Sequence, residues 1–153
     1  MKNYEKKFNS LQDIYDYYNN GGTLASLTNL TQRDLDDLQA YAYTCYQSGD
    51  IISARNIYHL LAYLEHWNYD YTLSLGLCHQ RLSNHEEAQL CFARCATLVM
   101  QDPRASYYSG ISYIVTGDKK MAKKAFKACL MWCNGNEDYS MYEENIKKIL
   151  AQN

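Results

Sequence analysis

Proline is almost missing from this chain: Pro103 is the single one in 153 residues. Little therefore interrupts helices, and no proline-rich linker divides the chain. Long hydrophobic runs are missing too. None approaches the roughly 20 apolar residues of a membrane-spanning helix, and the mean hydropathy is −0.51. Nor is there an excess of one charge. Fifteen basic residues against 17 acidic ones leave a formal net charge of −2, which exerts no general pull on nucleic acid or an anionic membrane. The sequence has no glycine-rich phosphate loop, no nucleophile elbow and no pair of histidines on one helix face. Neither enzymatic activity nor a cofactor is expected. Met1–Lys7 carries positive charge without a hydrophobic stretch behind it, which is not a secretory pattern. The expected location is cytoplasmic, where the six cysteines would form no lasting disulfides.

What is present is tyrosine, 16 copies, and a period. Shifting the chain on itself by 34 residues brings Ala42, Gly76 and Gly110 into one column, and Gly49, Ser83 and Gly117 into a second. Ala54, Ala88 and Ala122 form a third, then Tyr58, Phe92 and Phe126, then Leu61, Cys95 and Cys129. That pattern and period are those of the tetratricopeptide repeat (TPR), in which each unit folds as two antiparallel helices, A and B. The small first column lets helix B approach helix A. Gly49 and Gly117 suit the positive φ that ends helix A, each followed by an Asp able to cap helix B. In the middle repeat Ser83-Asn84 stands in, with Asn expected to tolerate the turn and to cap. The fold class is all-α, a TPR superhelix in a single domain over 1–153. Repeats fall at 35–68, 69–102 and 103–136. An N-terminal helix and linker occupy 1–30, and a C-terminal capping helix 138–151.

Ser10-Leu11-Gln12-Asp13 starts the first helix, whose apolar face is Leu11, Ile14, Tyr15 and Tyr18, and Asn19-Asn20-Gly21-Gly22 ends it. That face could cap the array or meet a second copy. Thr31 with Asp34 caps the next helix. At the other end Tyr142, Ile146, Ile149 and Leu150 share a face that would cover the open end of the solenoid.

Cys91/Cys95 and Cys129/Cys133, four residues apart with His79 and His85 nearby, invite a metal reading. Cys95 and Cys129 fall in the packing column that begins with Leu61, Cys45 and Cys78 fall near it on helix A, and ligand spacing is missing, so structural cysteines and no metal are expected. Lys119, Lys120, Lys123, Lys124 and Lys127 form a basic strip on the last helix B, where solvated surface is the ordinary reading. The concave positions of the A helices are Asp36, Gln39, Tyr43 and Tyr46, then Asp70, Leu73, Leu77 and Gln80, then Arg104, Tyr107, Ile111 and Ile114. Half or more are aromatic or aliphatic, as a binding surface requires. Tyr43, Tyr46, Leu73 and Leu77 are expected on exposed sides of their helices, holding an extended peptide by Leu-, Val- or Pro-type anchors. A terminal helix lying in the groove is the alternative.

Gly21-Gly22-Thr23-Leu24, Tyr46-Gln47-Ser48-Gly49-Asp50 and Leu73-Ser74-Leu75-Gly76-Leu77-Cys78 resemble the class II chaperones of bacterial type III secretion. This is the LcrH/SycD/IpgC group, and the similarity leans to its CesD type. The resemblance implies a chaperone that binds hydrophobic pore-forming translocators through an extended Pro/Leu-anchored segment and keeps them soluble and ready for export. It also implies homodimers formed through the N-terminal region (here Leu11, Ile14, Tyr15 and Tyr18); from the charge balance, no nucleic-acid partner is expected. The implied location is the bacterial cytoplasm without stable membrane insertion, with a peripheral position near the secretion apparatus allowed. Tyr43, Tyr46, Leu73 and Leu77 match the family's groove positions, whereas Ile51 stands where some relatives carry Tyr. A general TPR adaptor that binds a peptide or a transcriptional regulator is the other function the residues allow.

Overall fold

The computed structural model describes residues 8–152; the basic segment Met1–Lys7 and its non-secretory pattern lie outside the described residues. Eight α-helices follow in order among them: α1 Leu11–Asn19, α2 Gln32–Ser48, α3 Ile51–Leu64, α4 Tyr69–Arg81, α5 His85–Leu98, α6 Pro103–Val115, α7 Lys119–Cys133 and α8 Ser140–Gln152. The described residues contain no strand, and none of their helices is long and apolar enough to cross a membrane.

Local chemistry sets the helix ends. Ser10 with Asp13, and Thr31 with Asp34, form reciprocal capping boxes that satisfy the first N–H groups of α1 and α2. Gly49 and Gly117 end α2 and the α6 segment at φ of +90° and +85°. Asp50 and Asp118 then accept from the N–H groups of Ser53 and Met121. The middle repeat departs from expectation. Ser83 itself takes the left-handed conformation, at φ +61°, and Asn84 heads α5 without a side-chain cap bond. Pro103 sits in the first turn of α6, where its missing N–H costs nothing, and Asp102 caps it.

The helices pair as α2–α3, α4–α5 and α6–α7, stack in sequence, and end with α8 on α7. The glycine column is a close approach. A Cβ at Gly76 would lie 2.6 Å from the Phe92 ring, and one at Gly110 2.4 Å from Phe126. Ala54, Ala88 and Ala122, together with Leu61, Cys95 and Cys129, are completely buried at the crossings. At the C-terminal end Tyr142 and Ile146 of α8 join Phe126, Cys129 and Cys133 in one cluster, while Leu150 stays exposed. At the N-terminal end the Tyr17 hydroxyl donates to the Thr23 carbonyl at 2.8 Å. Tyr18 lies edge-on to His66, 5.3 Å between ring centroids.

Candidate functional site

On the concave side α2, α3 and α4 enclose a pocket of about 120 Å³ lined by Tyr43, Tyr46, Gln47, Tyr58, Ser74 and Leu77. Each wall follows from helical spacing. Tyr43, Tyr46 and Gln47 project from successive turns of α2, and Ser74 and Leu77 from one face of α4. Tyr43 is 58% exposed, so its ring is offered to solvent and not used by the core. Tyr46 and Leu77 are half-buried, and the Arg81 guanidinium lies 5.0 Å from the Tyr46 ring centroid, which holds that ring by cation–π attraction. Tyr58 forms the floor. Burial raises its phenol above the ordinary tyrosine range, and the neighbouring Ser74 hydroxyl partly offsets that. The lining combines aromatic and aliphatic surface with the hydroxyls of Ser74 and the tyrosines, which suits an aliphatic side chain flanked by peptide groups.

The remaining concave positions divide. Gln39 is half-buried and Asp36 exposed on the same face of α2. Leu73 departs from expectation: only 5% exposed, it packs with Tyr69, Ala88, Phe92, Cys95 and Ala105. It turns between α4 and α5 and is core, not exposed groove. Gln80 spends its amide on the Tyr108 carbonyl at 2.9 Å and the Ser112 hydroxyl at 2.8 Å. Arg104 is held by Asp102 at 2.7 Å and Asp70 at 3.2 Å, with its guanidinium 4.9 Å from the Tyr69 ring centroid. That pairing keeps the arginine charged and tethers α4 to α6. Tyr107 meets Tyr142 of α8 at 4.8 Å, and Ile111 and Ile114 pack on the same C-terminal cluster. A terminal helix thus covers the third-repeat end of the stripe and leaves the first-repeat end open.

Gln47, Tyr58 and Ser74 were not among the expected groove residues. The one available signal was Tyr in a column otherwise Phe: a phenol there needs a polar neighbour, and Ser74 supplies it. The cysteines are all free thiols. Burial pushes Cys78 and Cys95 up to about 12 and Cys91 up to about 11, so each stays protonated as a packing residue. Of the N-terminal face, Leu11 and Tyr15 are exposed, whereas Ile14 is half-buried and Tyr18 is engaged by His66.

Three stacked helix pairs with a capped C-terminal end and an open, tyrosine-walled concave pocket define a tetratricopeptide solenoid. The tetratricopeptide-repeat model matches residues 35–68. The chain is 26% identical over 98 residues to low calcium response locus protein H of Yersinia pestis, covering 64% of this chain and 58% of that protein. It is equally similar, 26% over 114 residues, to the chaperone protein SicA of Salmonella dublin, covering 74% of this chain and 69% of SicA. The fold superposes on the Yersinia enterocolitica translocator chaperone SycD with a TM-score of 0.82 at 21% identity, over 87% of this chain and 99% of SycD. It superposes on PcrH in complex with the chaperone binding region of PopD with a TM-score of 0.78 at 24% identity, over 82% of this chain and 95% of PcrH. The chain is thus similar in sequence to these two proteins over much of its length, and it shares its fold with SycD and PcrH.

Proposed function

We propose that this chain is a cytoplasmic chaperone of a bacterial type III secretion system. It would hold hydrophobic translocator proteins by an extended segment on its concave face and keep them soluble until export. The observation that carries this reading is the open pocket of Tyr43, Tyr46, Tyr58 and Leu77, in a fold that PcrH uses with the chaperone binding region of PopD. In this reading Tyr43, Tyr46 and Leu77 grip an apolar anchor and Gln39 lies beside them. Leu73 supports the pocket from the core. Asp70, Gln80, Arg104, Tyr107 and Ile111 shape the far wall more than they bind. The mechanism needs no chemistry: binding only the extended client shifts it away from self-association by mass action. Two or three anchors at about 1.5–3 kcal/mol each, less ordering costs, leave an affinity near micromolar for a short segment, weak enough to release. Co-expression with candidate translocators tests this directly. Clients that are no more soluble with the chaperone than without it would overturn it, in favour of a general adaptor.

The exposed Leu11 and Tyr15, with Ile14, form the surface we assign to homodimerisation; Tyr18 anchors α1 to its own chain. Ile14→Asp should halve the sedimenting mass while the helical signal persists, and an unchanged mass would reject the assignment. The Gly21-Gly22-Thr23-Leu24 exit from α1 supports kinship with the CesD type, and a peripheral position at the inner membrane goes with that kinship. A gene neighbourhood without translocator genes would count against both.

A further inference from the structure

The opposite face of the solenoid carries a second groove, unrelated to the concave pocket. Between α5 and α7, floored by α6, lies a cavity of about 310 Å³. Its walls are Gln89, Ala93 and Ala96 on one side and Met121, Lys124 and Ala125 on the other. Its floor, Ser106, Ser109 and Tyr113, is on the side of α6 turned away from Tyr107 and Ile111, as the helical spacing requires. Ser109 and Gln89 satisfy one another across the groove. The Ser109 hydroxyl donates to Gln89 Oε1 at 2.5 Å, and Gln89 Nε2 donates to the Ser109 carbonyl at 3.0 Å. What the groove offers a visitor is therefore chiefly apolar contact, from Phe92, Ala93, Ala96, Ala105, Met121 and Ala125.

Its two rims differ. On α5 the rim carries Leu90, 73% exposed. On α7, Lys120 and Lys127 flank Lys124 at spacings of four and three residues, so all three line the same edge. They are exposed, and no α7 lysine pairs with a carboxylate among the described residues. Three unpaired positive charges on one edge repel one another, and an incoming set of carboxylates would relieve that.

We propose that this groove docks an acidic amphipathic segment of a partner protein, with its apolar face between Ala96 and Ala125 and its carboxylates on Lys120, Lys124 and Lys127. The concave pocket stays free, so a client and this partner can be held together. The sequence showed the lysine strip but not the cavity beside it, because the cavity is made by three helices from two repeats.

The test uses a synthetic peptide about 18 residues long, with leucine and alanine on one helical face and glutamate beside them. It is titrated into isotopically labelled protein and followed by amide NMR shifts. Saturable shifts at Ala93, Ala96, Ser106 and Ala125, with little change at Tyr43 or Leu77, are expected. Lys120→Glu/Lys124→Glu/Lys127→Glu should weaken binding by roughly tenfold or more. Ala96→Leu, at an exposed position, should do so by filling the groove without lowering the melting temperature. A saturating translocator peptide should leave the acidic peptide's affinity unchanged. The proposal is overturned by shifts confined to the concave face, or by no saturation up to about 1 mM. It is also overturned if a single-stranded oligonucleotide binds more tightly than the peptide and is indifferent to Ala96→Leu, or if Ala96→Leu breaks up self-association, which would make the groove a contact between copies.

Discussion

The first and third repeats share a backbone plan yet present opposite concave faces. In the third, Gly110 admits the Phe126 ring, and α8 lays Tyr142 against Tyr107. In the first, Ala42 stands in the glycine column and Tyr58 in the phenylalanine column. Among the described residues nothing comparable to α8 lies over Tyr43, and a pocket remains. One hydroxyl and one covering helix separate a sealed core from an open pocket. Repeat architecture fixes where residues point; the next element along decides whether they are filled or open.

The largest effect should come from emptying the sealed end. Phe126→Ala should cost about 3–5 kcal/mol in denaturant unfolding, because the completely buried ring leaves a cavity its neighbours cannot close. Parity with a surface substitution would mean that the third repeat is not the rigid partner in this comparison. Next comes the pair Leu73 and Leu77, four residues apart on α4. Leu73→Ala should destabilise by about 2–5 kcal/mol as a core truncation, while Leu77→Ala changes the melting temperature little. Equal losses would erase the distinction drawn between them. At the open end, Tyr43→Ala with Leu77→Ala should weaken a translocator-derived peptide by about 2–4 kcal/mol while circular dichroism stays near native. Wild-type binding by that folded double variant would place the client elsewhere. Smaller still, Tyr58→Phe keeps the ring and deletes the hydroxyl facing Ser74. A stability change of about 0.5–1.5 kcal/mol is expected in chemical unfolding, with a measurable shift in peptide affinity. No change in either would show that the hydroxyl does not shape the pocket.

The mildest test concerns Asp102. Burial raises its carboxyl, but hydrogen bonds and charge from Arg104 outweigh that and hold it below the ordinary range. With the folded value below the unfolded one, its stabilisation is present above the unfolded value and disappears as pH falls through the folded one. Melting temperature should drop on acidification below about pH 4, and Arg104→Gln should flatten that drop. Identical acid profiles would detach the Asp70–Arg104–Asp102 cluster from the stability of the array.

Five aligned columns at a spacing of 34, with capping boxes at Ser10 and Thr31 and positive-φ glycines at 49 and 117, carried the helical solenoid. Each of these is a local or periodic preference expressed within one or two turns of chain. Tyr43, Tyr46 and Leu77 were legible for the same reason, since helical spacing alone aims them inward. The concave role of Leu73 failed because a residue near the edge of the inward arc rotates into whichever neighbour leaves room, and Ala88 and Ala105 leave it room. The closure over Tyr107, the use of Gln80 and Arg104 in bridging α4 to α6, the hydroxyl floor at Tyr58 and Ser74, and the lysine-edged groove behind α6 each bring together residues from different helices. Only the stacking angle between repeats sets those distances, and it follows from the summed packing of every crossing, a sum that no single stretch of sequence contains.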